Sequence, residues 1–187
     1  MGYTPIAGHA SDAFTWAVNA QFNYLGSQTL FQTGNPALSF PASVLAHSAI
    51  EMYLKAALIG VGYIVFDPKS LRSVDPALGL TKSNCAWGHH LLKLGRQFAS
   101  REARFDLKAV ILDRFPMRSG RLTVEGALEI FDPYFWEIRY PSPIEKLHGI
   151  GPAYGVPLGK LVERLLPFVP KVSPPSRKFA STPSSKA

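Results

Sequence analysis

Cysteine is almost absent from this sequence of 187 residues, which contains a single one, Cys85. One cysteine excludes an internal disulfide framework and is compatible with a reducing compartment. It also leaves the adjacent His89 and His90 without the second group of ligands that a zinc site needs, so we predict no metal. The sequence also has no glycine-rich phosphate loop and no Gly-x-Ser-x-Gly turn. It therefore carries the motif neither of a P-loop enzyme nor of an α/β-hydrolase.

Charged residues of both signs are also few, at 18% of the chain, whereas hydrophobic residues make up 47%. The formal net charge is +7, and four basic residues but no acidic one lie in 171–187, which leaves about +3 elsewhere (7 − 4). That excess is too small to indicate a broad nucleic-acid surface. We expect residues 1–170 to form one domain, and the basic, Pro/Ser-rich segment 171–187 to be a disordered tail.

The sequence shows no targeting or membrane-spanning signal. Its first residues lack a basic start followed by an apolar run, which a signal peptide would have. The apolar segment 56–66 is shorter than the ~20 residues that a transmembrane helix requires. We therefore expect a cytoplasmic protein that makes no contact with a membrane.

Helical periodicity dominates what the sequence does contain. Residues 41–62 are apolar on most faces of a helix, which is typical of the central helix in a bundle. Pro41 suits the first turn of this helix, where a missing N–H costs nothing, and Ser39 can cap it. Apolar residues at steps of three and four predict further helices at 11–31, 89–101, 124–138 and after 157.

The first and the last of these helices each have a predicted inward stripe. In the first helix the stripe consists of Phe14, Val18, Phe22 and Leu25. In the last helix it consists of Leu158, Leu161, Val162, Leu165 and Leu166. Both stripes follow the spacing of an amphipathic helix, so we expect them to face the core.

Other segments have weaker patterns. Residues 67–88 are interrupted by proline and glycine and are predicted to form a long loop. The run 105–112 either continues the preceding helix or forms a second one, and 121–124 fits a helix start or a short strand. Pro133 must kink or restart its helix, with Asp132 as a cap for the restart. The sequence thus predicts an all-α fold, a bundle of five or six helices with little or no sheet.

One polar stripe interrupts the apolar central helix. His47, Glu51 and Lys55 are spaced at i, i+4 and i+8, and so they lie above one another on a single face. Two interpretations remain open from the sequence. The stripe is either the solvated edge of the helix or a polar line that faces a cleft.

Three short strings together resemble the HEPN family, the higher eukaryotes and prokaryotes nucleotide-binding domain. They are Ala-Ile-Glu-Met-Tyr-Leu-Lys-Ala at 49–56, Gly-His-His-Leu-Leu-Lys-Leu at 88–94 and Arg-Tyr-Pro at 139–141. The resemblance covers about residues 11–143. It implies an antiparallel bundle of four or five helices that is often dimeric. It also implies an association with nucleotides, with RNA cleavage or with minimal nucleotidyltransferases as partners.

The chain departs from the ribonuclease branch of that family, which has Arg, four to six residues and then His. Here Arg139 is followed by His148 only after eight intervening residues, and Pro141 and Pro143 lie between them. Two prolines prevent the pair from sharing one helical face. We therefore predict no catalytic residue and no cofactor. A ribonuclease that uses a different set of residues remains an alternative.

The resemblance and the polar stripe together predict one ligand-binding site, formed by His47, Glu51, Lys55, His89, Arg139 and Tyr140. We expect His89 to hydrogen-bond across the bundle to Glu51. Lys55 and Arg139 would offer cationic donors to phosphate, and Tyr140 would stack on a base. The predicted function is a non-catalytic nucleotide- or RNA-associated module, of the stress, defence or toxin–antitoxin kind. The alternative is a structural interaction protein without a small ligand.

A homodimer is also expected, from the family resemblance and from the aromatic content. The chain has twelve Phe, seven Tyr and three Trp, a large number for one small bundle. Apolar area that a single bundle cannot cover tends to mark a contact surface.

Overall fold

The computed structural model describes residues 8–60, 65–67, 72–74, 89–115, 120–134 and 151–172. Most of these residues belong to α-helices: α1 (Gly8–Gln32), α2 (Ser39–Gly60), α3 (Leu91–Arg101), α4 (Val124–Phe131) and α5 (Gly155–Leu165). Short 3-10 turns precede α2, precede α5 and follow α5, at Pro36–Leu38, Pro152–Tyr154 and Leu166–Phe168. The prediction of a mostly helical protein is confirmed.

Helix α2 forms the centre of the core, as its apolar sequence predicts. Fifteen of its 22 residues are buried, and it contacts α1, α3, α4 and α5. By length and composition alone, the helical stretch Pro36–Gly60 would suffice to cross a membrane. In the folded protein, however, 78% of the apolar window is buried inside the molecule, which accounts for its hydrophobicity.

Helix α1 packs on α2 through small residues, and this corrects the predicted inward stripe. The buried positions are the alanines 13, 17 and 20 together with Ser27 and Phe31. The large residues of the predicted stripe point outward instead, with 46% of Phe14, 56% of Phe22 and 42% of Leu25 exposed.

The reason is the close approach of the two helices. The Ser27 hydroxyl donates a 2.8 Å hydrogen bond to the carbonyl of Ala42 on α2. A Cβ added to Gly26 would lie 3.2 Å from Leu45 Cδ1, tighter than most side-chain contacts. Small side chains on facing helices allow this separation, whereas phenylalanine would force the helices apart.

Two short antiparallel strand pairs replace parts of the chain predicted as helix or loop. Strand β3 (Val110–Leu112) pairs with β4 (Leu122–Thr123), so the prediction of helix over 105–112 is wrong and the strand alternative at 121–124 is confirmed. Strand β1 (Val65–Asp67) pairs with β2 (Arg72–Val74) inside the segment predicted as an unbroken loop. Short strands exist only through their partners, which local periodicity does not reveal.

Helix α5 buries four residues of its predicted stripe, namely Leu158, Leu161, Val162 and Leu165. The fifth, Leu166, is 46% exposed, because the chain changes there from an α-helix to a 3-10 turn that rotates each residue further around the axis. The predicted disorder of 171–187 lies almost wholly outside the described residues, as do Phe135 and Ile138 of the helix expected after Pro133.

Candidate functional site

The carboxylate of Glu51, on the buried centre of α2, gathers three other polar side chains. Lys55, one turn along the helix, places Nζ 2.6 Å from Oε1. His89 places Nδ1 3.0 Å from each carboxylate oxygen. His47, one turn earlier, places Nε2 3.6 Å from Oε2, a longer electrostatic contact. The structure therefore brings four of the six predicted site residues together.

The other two predicted site residues, Arg139 and Tyr140, lie outside the described residues. The expected contact between Arg139 and Glu51 therefore stays a prediction. The expected contact between His89 and Glu51 is present. His47, Glu51 and Lys55 are all buried, so the stripe is not a solvated edge of the helix, and the cleft in front of it stays a prediction.

His47 is held at its other ring nitrogen by the end of α4. Its Nδ1 lies 2.9 Å from the carbonyl oxygen of Phe131 and must donate to it, since a carbonyl only accepts. The ring is thus fixed with Nε2 directed toward Glu51. With the proton on Nδ1, a neutral His47 ring directs the lone pair of Nε2 toward the carboxylate. A doubly protonated ring would direct an Nε2–H toward it.

His89 is positioned by the start of α3, which a residue of a different element caps. The backbone N–H of Leu91 donates to Oδ1 of Asp132, just after α4, and Oδ2 of Asp132 lies 3.8 Å from His90 Nδ1. The sequence suggested Asp132 as a cap for its own helix. The structure shows that its carboxylate caps α3. The residues that it would cap in its own helix, from 135 onward, lie outside the described part of the chain.

Trp16 of α1 completes the surroundings of Lys55. The ammonium Nζ lies 5.3 Å from the centroid of the indole ring, within cation–π range. The sequence analysis did not include Trp16 in the site. An aromatic residue on an apolar helix has no local signal that distinguishes such a contact from core packing.

The cluster stabilises the ionised form of Glu51. Burial alone would raise the pKa of this carboxyl group, but His47, Lys55 and His89 outweigh that effect and lower the pKa from 4.5 to about 2. Glu51 is therefore a carboxylate at neutral pH. Its charge offsets that of Lys55, so any proton that a histidine takes up makes the cluster cationic.

The members differ in their access to solvent. The side chain of His89 is 36% exposed, whereas those of Glu51 and Lys55 are 9% exposed and that of His47 is 1% exposed. A ligand arriving from solution would therefore meet His89 first. The buried residues behind it act as its support, because they fix the ring and set the charge around it.

The described part of the chain contains no group of three His, Cys, Asp or Glu side chains arranged to hold a metal ion. Cys85 lies outside it. In chemical terms the cluster sets imidazole and ammonium donors around one fixed carboxylate. Lys55 and His89 direct these donors to Glu51 and His47 directs Nδ1 to the Phe131 carbonyl, so a ligand would meet the exposed side of the His89 ring.

The chain matches no protein-family model, no curated protein and no solved structure. The class of the protein therefore follows from its structure alone. It is a mostly helical protein whose central helix carries the buried residues His47, Glu51 and Lys55, and whose His89, just before α3, joins this cluster and reaches solvent.

Proposed function

We propose that this chain is a non-catalytic, HEPN-like module that binds a phosphate group of a nucleotide or of RNA at His89. One observation carries the proposal: a half-exposed histidine is fixed by a buried carboxylate that is itself held by Lys55 and His47. A surface histidine without a function has no need of three buried ionisable groups behind it, because burying such groups is costly.

The geometry defines how His89 would work. Nδ1 is engaged with Glu51, so the exposed part of the ring lies on the side away from the carboxylate. When the ring is an imidazolium, Nδ1–H donates to Glu51 and Nε2–H, on that exposed side, can donate to a phosphate oxygen. Arg139 and Tyr140 would add a guanidinium donor and a stacking ring, as the family resemblance implies. The resemblance also extends the proposal to a cytoplasmic stress, defence or toxin–antitoxin system with a nucleotidyltransferase-type partner.

The test compares two neighbouring histidines. His89→Ala removes the residue that contacts Glu51, whereas His90→Ala removes a more exposed histidine that lies 3.8 Å from Asp132. Thermal unfolding is followed with and without adenosine triphosphate, guanosine triphosphate and a short single-stranded RNA. We expect one of these probes to raise the melting temperature of the wild type and of His90→Ala, and to leave that of His89→Ala unchanged.

Equal loss of binding in the two variants would contradict the proposal, since a general loss of positive charge would then explain it. A wild-type protein that responds to none of the three probes would contradict it as well. The unfolding temperatures measured without ligand show whether each variant is folded, so a lost response is not confused with a lost fold.

A second proposal concerns the outward face of α1, and it is independent of the ligand site at His89. We propose that Phe14, Val18, Phe22 and Leu25, here called the α1 stripe, form the contact surface of a homodimer. Residues 13–32 contain no charged side chain. Two copies can therefore bring the same surface together without like-charge repulsion, which is the requirement of a two-fold contact. Three of the four residues are large and exposed, so pairing would remove apolar area from water.

Light scattering at tens of micromolar tests this surface. We expect a dimeric mass for the wild type and a monomeric mass for Phe22→Glu, because the substitution puts a like charge into both halves of the contact. Ser100→Glu is the matched control, since it adds the same charge at an exposed position of α3, outside the α1 stripe. A monomeric wild type, or a variant Phe22→Glu that stays dimeric, would contradict the proposed contact.

A further inference from the structure

A cavity lies between α1, α2 and the segment that follows α5. Its volume is about 560 Å³, within the range of about 300–1,000 Å³ that is typical of small-molecule sites. Tyr53 and Gln21 line it from the two helices, and apolar residues such as Pro167 and Val169 line it from the segment after α5. Tyr53 follows Glu51 by two positions, about 200° around α2, so the cavity opens on the other side of the central helix from the carboxylate cluster.

The inner end of this cavity carries a polar pair. The buried hydroxyl of Tyr53 donates a 2.6 Å hydrogen bond to Oε1 of Gln21. Burial raises the pKa of Tyr53 to about 12, so the hydroxyl remains a neutral donor at neutral pH. Among the described residues Nε2 of Gln21 has no hydrogen-bond partner. The amide thus offers an N–H donor at a site with otherwise apolar walls.

The opening of the cavity carries two charged residues of opposite sign. Glu163 and Lys171 are its exposed charged residues. Glu163 is paired with Lys160, whose Nζ lies 2.9 Å from Oε2. The charge of Lys171 is therefore the one left to a ligand, and an anion meets complementary charge there.

We propose that this cavity binds a small aromatic acid. The aromatic ring would lie against Pro167 and Val169, an acceptor atom would take the N–H of Gln21, and a carboxylate or sulfonate would pair with Lys171. An apolar body with one charged end fits a site whose walls are apolar and whose mouth has one cation. The assignment is independent of the phosphate site at His89 and adds a second ligand class to it.

Anilinonaphthalene sulfonate is a suitable probe, since it combines aromatic rings with one acidic group and its fluorescence rises in apolar sites. We expect the full chain to bind it, with affinity lowered about tenfold or more in Val169→Trp, which fills the cavity. Lys171→Glu alters only an exposed residue and keeps the fold; it should weaken binding several-fold. Naphthoate should displace the dye at lower concentration than the uncharged naphthalenemethanol does.

Phe22→Ser is the control, because the dye also has an affinity for exposed apolar surfaces such as the α1 stripe. We expect this variant to bind the dye as the wild type does. Binding that survives both Val169→Trp and Lys171→Glu but is lost in Phe22→Ser would overturn the proposal. So would a folded wild type that does not bind the dye. Neither result bears on His89, whose phosphate binding is measured with other probes and variants.

Discussion

Glu51 is the residue on which the polar cluster depends, because two side chains of α2 and one from the turn before α3 converge on its carboxylate. Removing one partner of a buried ion pair leaves the other charge uncompensated. We therefore expect Glu51→Gln to lower the free energy of unfolding by about 3–5 kcal/mol at neutral pH, measured by denaturant titration. The control is Glu125→Gln, which breaks the surface pair with Arg96 and should cost less than about 1 kcal/mol. Equal costs in the two variants would contradict a special role for Glu51.

The same residue makes stability depend on pH in a defined direction. The pKa of Glu51 is about 2 in the folded protein and 4.5 as a reference for the unfolded chain. Because the unfolded state binds the proton more readily, the contribution of Glu51 is complete above pH 4.5 and is lost as pH falls toward 2. The difference corresponds to about 3 kcal/mol. We expect the free energy of unfolding to fall in acid for the wild type and to fall less for Glu51→Gln. Parallel pH profiles of this free energy in the two proteins would contradict the prediction.

At the scale of the element, α3 depends on a cap that comes from outside it. Asp132→Ala removes the acceptor for the Leu91 N–H and should cost about 1–2 kcal/mol of stability. It should also weaken phosphate binding, because His89 lies immediately before the capped turn. Thr123→Ala is the matched control: it removes the cap of α4, a 3.2 Å bond from the Gly126 N–H, and should lower stability similarly without lowering affinity. Similar effects on affinity in both variants would contradict the positioning role of Asp132.

The helices differ in how far the sequence determines them. The buried helix α2 and its polar stripe could be predicted, because a run of 22 residues with one polar face leaves few alternatives. The orientation of α1 could not, since its alanine face and its phenylalanine face both repeat at helical spacing. Only the close contact with α2, visible at Ser27 and Ala42, decides which face is buried. Strands as short as Leu122–Thr123 likewise depend on a partner that is distant in sequence.

At the scale of the whole molecule, the two proposed contacts lie on different elements, since His89 precedes α3 and the α1 stripe belongs to α1. The contact of His89 with Glu51 was predictable from the ordered strings at 49–56 and 88–94. The roles of Trp16 and Asp132 were not, because each depends on how separate elements pack. A ligand site and an interaction surface are thus compatible in one protein, and neither excludes the other.

The central claim is that His89 is the contact point for a phosphate ligand. Nitrogen–proton correlation spectra of the imidazole rings test it most directly, recorded while nucleotide or RNA is added to the full chain. We predict that the ring signals of His89 shift in a saturable way while those of His90, its neighbour in sequence, stay in place. Unchanged signals of His89 in the presence of a bound ligand, or a shift confined to His90, would contradict the account.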